Sequence, residues 1–325
     1  MSKRNNTIYL LILAAPVILA LCLMAGSTSF GFPDMTAETG QSIFYLRLYR
    51  VLAGFAVGAA LSCAGAVLQA LLRNPLAEPY VIGVSSGAGL GAALAIVSGF
   101  ASLNSAIMPA SAFVFAIATL IMVYALASAG GRLSIYGLIL SGVIVSSICS
   151  SLLMSLITFS QSEEIHSIMW WMLGNLEVPS RSLFIVSAIL IMAGISGIWM
   201  MSLELNALSL GREMAHHVGV RTRLAISIGL VLATLITASA VSISGLIGFV
   251  GLVVPHVVRT FAGPDHRRLV PVCALTGGLF LVICDAVART IMAPQELPVG
   301  VVTALIGGPF FISILRGRRK KGWIE

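Results

Sequence analysis

This 325-residue chain is short of charge, short of lysine and without a loop that could cradle a nucleotide. Asp, Glu, Lys and Arg make up 10% of it and hydrophobic residues 58%, whereas a soluble domain carries about 25% charged residues. With a mean hydropathy of +1.03, that scarcity puts the chain in the membrane class. Lysine occurs at Lys3, Lys320 and Lys321 alone. A P-loop needs a Gly-Lys-Ser/Thr step opening a helix, and the sequence has none, which excludes a P-loop ATPase site. No two of the five cysteines (Cys22, Cys63, Cys149, Cys273, Cys284) form a C-x-x-C pair. All lie in apolar segments and read as small buried hydrophobes. His216 and His217 are adjacent, and neighbours in a helix face apart, so no metal site is expected, and no cofactor.

What is present is long apolar runs. Lipid cannot satisfy a bare backbone, so spans are helices or a closed barrel. Barrel strands alternate apolar and polar over roughly 10 residues, and these runs do not. Residues 51–72, 79–131, 133–162, 182–203, 224–258, 269–284 and 297–315 carry no charge. A span takes about 20 residues, so the longest runs hold more than one. The reading is an all-α polytopic bundle, one domain over 1–325, with ten helices at 8–26, 51–72, 80–98, 107–128, 134–158, 183–203, 224–242, 246–262, 269–288 and 298–315. The first run is longer than a signal-peptide core and lacks a clean small-x-small site, so it reads as an anchor.

An even helix count puts both termini on one face. That face then holds Lys3, Arg4, Arg73, Arg132, Arg212, Arg221, Arg223, Arg259, Arg267, Arg268, Arg316, Arg318, Arg319, Lys320 and Lys321, and the other holds Arg47, Arg50, Arg181 and Arg289. The lopsided split predicts both termini in the cytoplasm. The net charge of +7 follows from this topology and from anionic lipid, not from nucleic acid.

The densest local signal is Arg73-Asn74-Pro75-Leu76-Ala77-Glu78-Pro79, running into Tyr80-Val81-Ile82-Gly83-Val84-Ser85-Ser86-Gly87-Ala88-Gly89-Leu90-Gly91. The prolines stop one helix and start the next. Gly83, Gly87 and Gly91 recur every four residues, a stripe that lets another backbone come close. Ordinary packing within the bundle and a helix beside a conduction path both account for it. Further on stand Arg47-Leu48-Tyr49-Arg50, Gly248-Phe249-Val250-Gly251-Leu252-Val253-Val254-Pro255-His256-Val257-Val258-Arg259, Asp265-His266-Arg267, Asp285-Ala286-Val287-Ala288-Arg289, the segment 296–304 beginning Glu296-Leu297-Pro298, and Gly307-Gly308-Pro309-Phe310-Phe311. From about residue 47 to 315 this pattern resembles the permeases of the ferric-siderophore, haem and cobalamin ABC importers. Tyr49 stands where that family usually reads proline.

The resemblance implies ten helices per subunit and two subunits, with a homodimer expected, enclosing a path. It implies two cytoplasmic ATPase subunits, a substrate-binding protein on the outer face, and residence in a bacterial cytoplasmic membrane. It implies coupling helices at 206–220, where Leu208, Met214, Ala215 and Val218 can share one side of two short helices broken at Gly211; Leu210 belongs to the same ATPase contact. An exposed apolar patch there fits an interface. It also implies that Arg47, Arg50 and Arg289 dock the binding protein through its glutamates, a task that suits the forked guanidinium; lipid snorkelling is the plainer reading. The segment 166–176 reads as a short outer helix whose Trp170 and Trp171 sit in the headgroup belt.

Two rival functions were weighed. An ion-driven carrier needs a carboxylate near the midplane, and Asp285 is the candidate, although its spacing from Arg289 suits an i,i+4 ion pair. An intramembrane enzyme would have to use His256 and Asp285.

Overall fold

The computed structural model describes residues 2–26, 30–128, 134–178 and 180–319. Arg132, Lys320 and Lys321, which enter the charge split, lie outside the described residues, as do the side chains of Lys3, Arg4, Arg318 and Arg319. Helices account for the described fold, with no strand among these residues. They are α1 (Ser2–Met24), α2 (Glu38–Leu71), α3 (Val84–Val97), α4 (Phe100–Leu103), α5 (Ile107–Ala127), α6 (Ile135–Phe159), α7 (Ser162–Met172), α8 (Arg181–Met200), α9 (Ser202–Leu210), α10 (Arg212–His217), α11 (Thr222–Ser244), α12 (Val250–Ala262), α13 (His266–Thr290) and α14 (Val299–Arg319), with a 3-10 turn at Pro79–Ile82.

Seven of them (α1, α2, α5, α6, α8, α11, α13) are long and apolar enough to cross a membrane, and α3, α12 and α14 are shorter apolar helices. Together these ten occupy the ten positions read from the sequence. The chain is a multi-pass membrane protein.

α2 is the hub. Of its span 83% is buried, against 22% for α8 and 11% for α1, so α2 is the core post and α1 and α8 face outward. Small residues make this possible. Gly58 lies against the Gly277 backbone and Gly65 against the Gly251 backbone, so closely that a Cβ at either would overlap its neighbour. Without a hydrophobic drive between helices in lipid, such close backbone packing holds a bundle together. The outer helices instead expose Leu140, Ile144, Ile189 and Met192, which cost nothing against lipid tails.

Two boundaries differ from expectation. α2 begins at Glu38, not near 51: Arg47 and Arg50 are turned inward and bonded, so the helix runs through them. The eighth helix begins at Val250, not 246, because 245–249 is irregular backbone. Gly245 has φ 66° and ψ −158°, a conformation open to glycine alone.

Candidate functional site

Three polar constructions interrupt an otherwise apolar interior. The first lies where α2 meets the Arg289 end of α13. Arg50 Nε is 3.0 Å from Asp285 Oδ1, and its Nη1 is 2.7 Å from Glu296 Oε2. Arg289 Nε stands 2.9 Å from Asp285 Oδ2, the i,i+4 pair that the spacing predicted. Arg289 also donates to Ala25 O at 2.7 Å and Cys22 O at 3.2 Å. Arg47 donates to Gly31 O at 2.8 Å and Met24 O at 3.2 Å. The arginines thus tie the exit of α1 to the α2–α13 pair.

This placement revises the docking reading. Arg289 is 2% exposed and Arg47 7%, and their donors are turned to internal carbonyls and carboxylates. Arg50 keeps only a little surface. Of the four arginines on the sparse face, Arg181 is the exposed one, stacked 5.7 Å over the Tyr45 ring and 5.2 Å over Tyr49. Tyr49 in turn meets Phe184 edge-on at 5.9 Å, so the residue that replaces the family's proline has a packing role. Beside the cluster opens a cavity of about 1210 Å³, lined among others by Tyr45, Tyr49, Trp170, Glu177, Arg181 and Glu296. His166 stacks on Trp170, which is exposed, whereas Trp171 is buried and so belongs to the core, not to a headgroup belt.

The second construction carries the irregular strand of chain 245–249 through the interior. Non-helical backbone in a membrane protein must find partners within the protein. The Tyr80 hydroxyl donates to Ile247 O and accepts from Ile247 N, both at 3.0 Å. A Glu78 carboxylate oxygen accepts from Phe249 N at 2.6 Å. Burial pushes the Glu78 carboxyl up, and the Phe249 N–H opposes that rise in part. Gln69 donates to Gly251 O at 3.2 Å and accepts from Arg259. Sequence reading quoted Glu78 and Tyr80 but gave them no role; the signal was a polar pair directly after a proline stop, facing a predicted helix break.

The third is the α9–α10 corner. Gly211 separates the two helices at φ 126° and ψ 155°, outside the reach of side-chain-bearing residues. Leu210, Met214 and Val218 are 70%, 54% and 69% exposed. Leu208, expected on that face, is buried with Ala215: it points into the bundle and props the corner, so it cannot touch a partner directly. His216 and His217 are exposed, and no metal-holding group of His, Cys, Asp or Glu occurs among the described residues.

The glycine stripe is also corrected. Gly83 is not in α3 but caps its start at φ 85°. Gly87 lies against Thr119 and Gly91 against Ser111 and Phe115, all on α5 of the same chain. The stripe is taken up by packing within the protomer. All five cysteines are free and buried. His256 meets Phe310 edge-on at 6.1 Å, and Asp285 is held by Arg50 and Arg289.

Residues 11–317 match the model of the FecCD transport family. The chain is 43% identical to the cobalamin import system permease protein BtuC of Halobacterium salinarum, over 90% of this chain and 78% of that protein. It is 39% identical to the vitamin B12 import system permease protein BtuC of Salmonella typhi, over 96% of each. To the hemin transport system permease protein HmuU of Yersinia pestis it is 35% identical, over 96% of this chain and 97% of that one. Among solved structures, a metal-chelate type ABC transporter in an inward-facing conformation matches with TM-score 0.87 at 31% identity, covering 96% of this chain and 99% of that one.

Proposed function

The chain belongs to the FecCD transport family, and from that premise we propose that it is the membrane-spanning permease of an ATP-driven importer for a bulky metal chelate, with cobalamin the first substrate to test and haem the second. The observation that carries the reading is the family match over nearly the whole chain. The order of substrates follows the relatives, the cobalamin permeases being 43% and 39% identical and the haem permease 35%. Lacking a P-loop, the chain takes its energy from elsewhere. Two ATPase subunits sit on the cytoplasmic face, a second copy of the permease completes the path, and a binding protein delivers substrate from outside, in a bacterial cytoplasmic membrane with both termini inside.

On this reading the α9–α10 corner is the ATPase dock. Leu210, Met214 and Val218 form an unpartnered apolar face on a short helix that a cleft can enclose, with Gly211 setting its angle. The cavity beside Arg50 lies on the opposite, outer face and opens toward the incoming substrate. An ion-gradient carrier is disfavoured because Asp285, its one candidate carboxylate, is held by Arg50 and Arg289.

The test is reconstitution in liposomes with the ATPase and binding protein of the same operon. ATP-dependent uptake of labelled cobalamin is expected, with none from the permease alone. Uptake without ATP, or hydrolysis by the isolated chain, overturns the reading. Haem uptake in place of cobalamin corrects the substrate only. Leu210→Asp or Met214→Asp is expected to detach the ATPase, since an unpaired carboxylate buried in an apolar cleft costs several kcal/mol.

A further inference from the structure

The α9–α10 corner packs on α2 and α13, and a small polar joint with Asn206 at its centre ties it to the start of α13. Asn206 Nδ2 donates to Asp265 Oδ1 at 2.8 Å. Its Oδ1 accepts the backbone N–H of His266 at 2.9 Å and faces His266 Nδ1 at 2.7 Å. An amide oxygen only accepts, so Nδ1 carries the proton here. Asp265 is the N-cap of α13, accepting from Arg267 N at 3.1 Å, so the carboxylate that starts α13 also holds α9. From the last turn of α8, Trp199 Nε1 donates to Arg267 O at 3.0 Å.

What this joint grips is a helix that runs the depth of the protein. The 25 residues of α13 span about 37 Å and are locked to α2 along the way. Ser62 Oγ donates to Cys273 O at 2.7 Å, Gly58 lies against Gly277, Phe55 covers Gly278, and Arg50 meets Asp285 at the far end. Close-packed interiors transmit strain and do not absorb it, so α13 and α2 move as one body.

We infer that Asn206 is a positioning residue for transport: it bolts the α9–α10 corner to the α13–α2 pair, so that displacement imposed on α10 reaches the Arg50–Asp285–Arg289 cluster and the cavity beside it. The inference rests on the reading of α10 as the ATPase dock. Chain continuity alone would pass that displacement to α8 and α11, which flank the corner; the Asn206 bonds make α13 a recipient.

The experiment uses the assembled permease–ATPase–binding-protein complex with cobalamin as probe, and reads molecules imported per ATP hydrolysed. Asn206→Ala is expected to keep the ATPase bound and hydrolysing while this ratio falls at least tenfold. Asn206→Asp sets two carboxylates against each other and should uncouple as severely. Adding Asp265→Asn to it rebuilds the bridge with donor and acceptor exchanged and leaves His266 its acceptor; because Asn206 and Arg267 N share Asp265 Oδ1, the amide that donates to residue 206 gives up the N-cap bond, so the pair should return part of the wild-type ratio. If Asn206→Ala fails to assemble, the Asp variant and its rescue decide. A wild-type ratio in Asn206→Ala overturns the inference, as does an Asp variant that Asp265→Asn does not relieve. Failure of the dock reading looks different: the ATPase does not bind the wild-type permease, or Leu210→Asp and Met214→Asp change nothing. Either result removes the inference together with its premise.

Discussion

The two ends of α13 are both fastened by polar groups, and they are fastened differently. At the Arg289 end, buried ions do it: Asp285, 1% exposed, lies between Arg50 and Arg289, and the spare guanidinium donors go to carbonyls of the α1 exit. At the His266 end a neutral carboxamide makes the bridge, and the accompanying Asp265–Arg267 pair is largely open to solvent. A buried ion loses several kcal/mol when its partner leaves, so the first joint holds or fails as a unit. The Asn206 bond to the ionised Asp265 is charge-assisted, about 1.5–3 kcal/mol, its bonds to His266 are neutral and about 1 kcal/mol each, and no buried ion is stranded when they part, so the second joint is the softer of the two.

The sharpest way to break the contrast is Asp285→Ala. It leaves Arg289 without a carboxylate and Arg50 with Glu296 alone, and should destabilise by about 3–5 kcal/mol, read as a collapse in yield and thermal midpoint in detergent. Adding Arg289→Met should recover part of the loss, because one stranded charge is removed. Near-wild-type stability in Asp285→Ala would mean that water reaches the cluster, and the claim of a stiff joint would fall. Next is Arg47→Met, which removes the charged donor to Met24 O and Gly31 O. Bonds to a charged group are each worth about 1.5–3 kcal/mol, so faster hydrogen exchange is expected at Met24–Gly26 and at Gly31, with α13 unchanged. Exchange that rises evenly over the whole chain would show that Arg47 does not act locally.

At the other end Arg267→Ala should cost under about 1 kcal/mol, as exposed pairs do. The Asp265 carboxyl is held well below the usual range by its Arg267 bonds and then by Asn206. A lowered carboxylate adds stability above its unfolded value of about 3.9, lost only as pH falls through the lower folded value. The Asp265 contribution should therefore stay flat from pH 5 to 8; a slope that Arg267→Ala abolishes would contradict the assignment.

How far the sequence revealed this follows the same line between apolar and polar. Charge-free runs located all ten apolar helices, because lipid demands length and hydrophobicity and little else. The Asp285–Arg289 pair was legible because i and i+4 lie on one helix. The arginines of α2 were misjudged because charge marks a helix end only when it faces water, and Arg47 finds its partners 16 and 23 residues away on another segment. Leu208 and Leu210 both belong to α9 and lie about 200° apart around it; which of them is buried depends on how α9 docks on the bundle. Asn206 was invisible, since its partners lie 59 and 60 residues on and no local pattern links an amide to a distant N-cap.

The smallest expected effect concerns a half-buried carboxylate with no ion pair among the described residues. Glu78 holds the N–H of Phe249, as Asp285 holds its arginines, yet nothing charged draws its carboxyl down, and burial raises it. The sign is then opposite to that of Asp265. A raised folded value means that the neutral acid is favoured in the fold. Its contribution is fully present below the unfolded value of about 4.3 and is lost as pH rises through the folded one. At pH 8 the wild-type protein bears the cost of a charge with one N–H to satisfy it. Glu78→Gln keeps an oxygen for Phe249 and removes the charge, so it should raise the thermal midpoint at pH 8 by about 1–2 °C and give less or no gain at pH 5. A loss of stability at pH 8 would mean that the ionised carboxylate is what Phe249 needs. The irregular chain at 245–249 would then be held by charge, as the Arg289 end is, and not by the neutral bonding that Tyr80 gives Ile247.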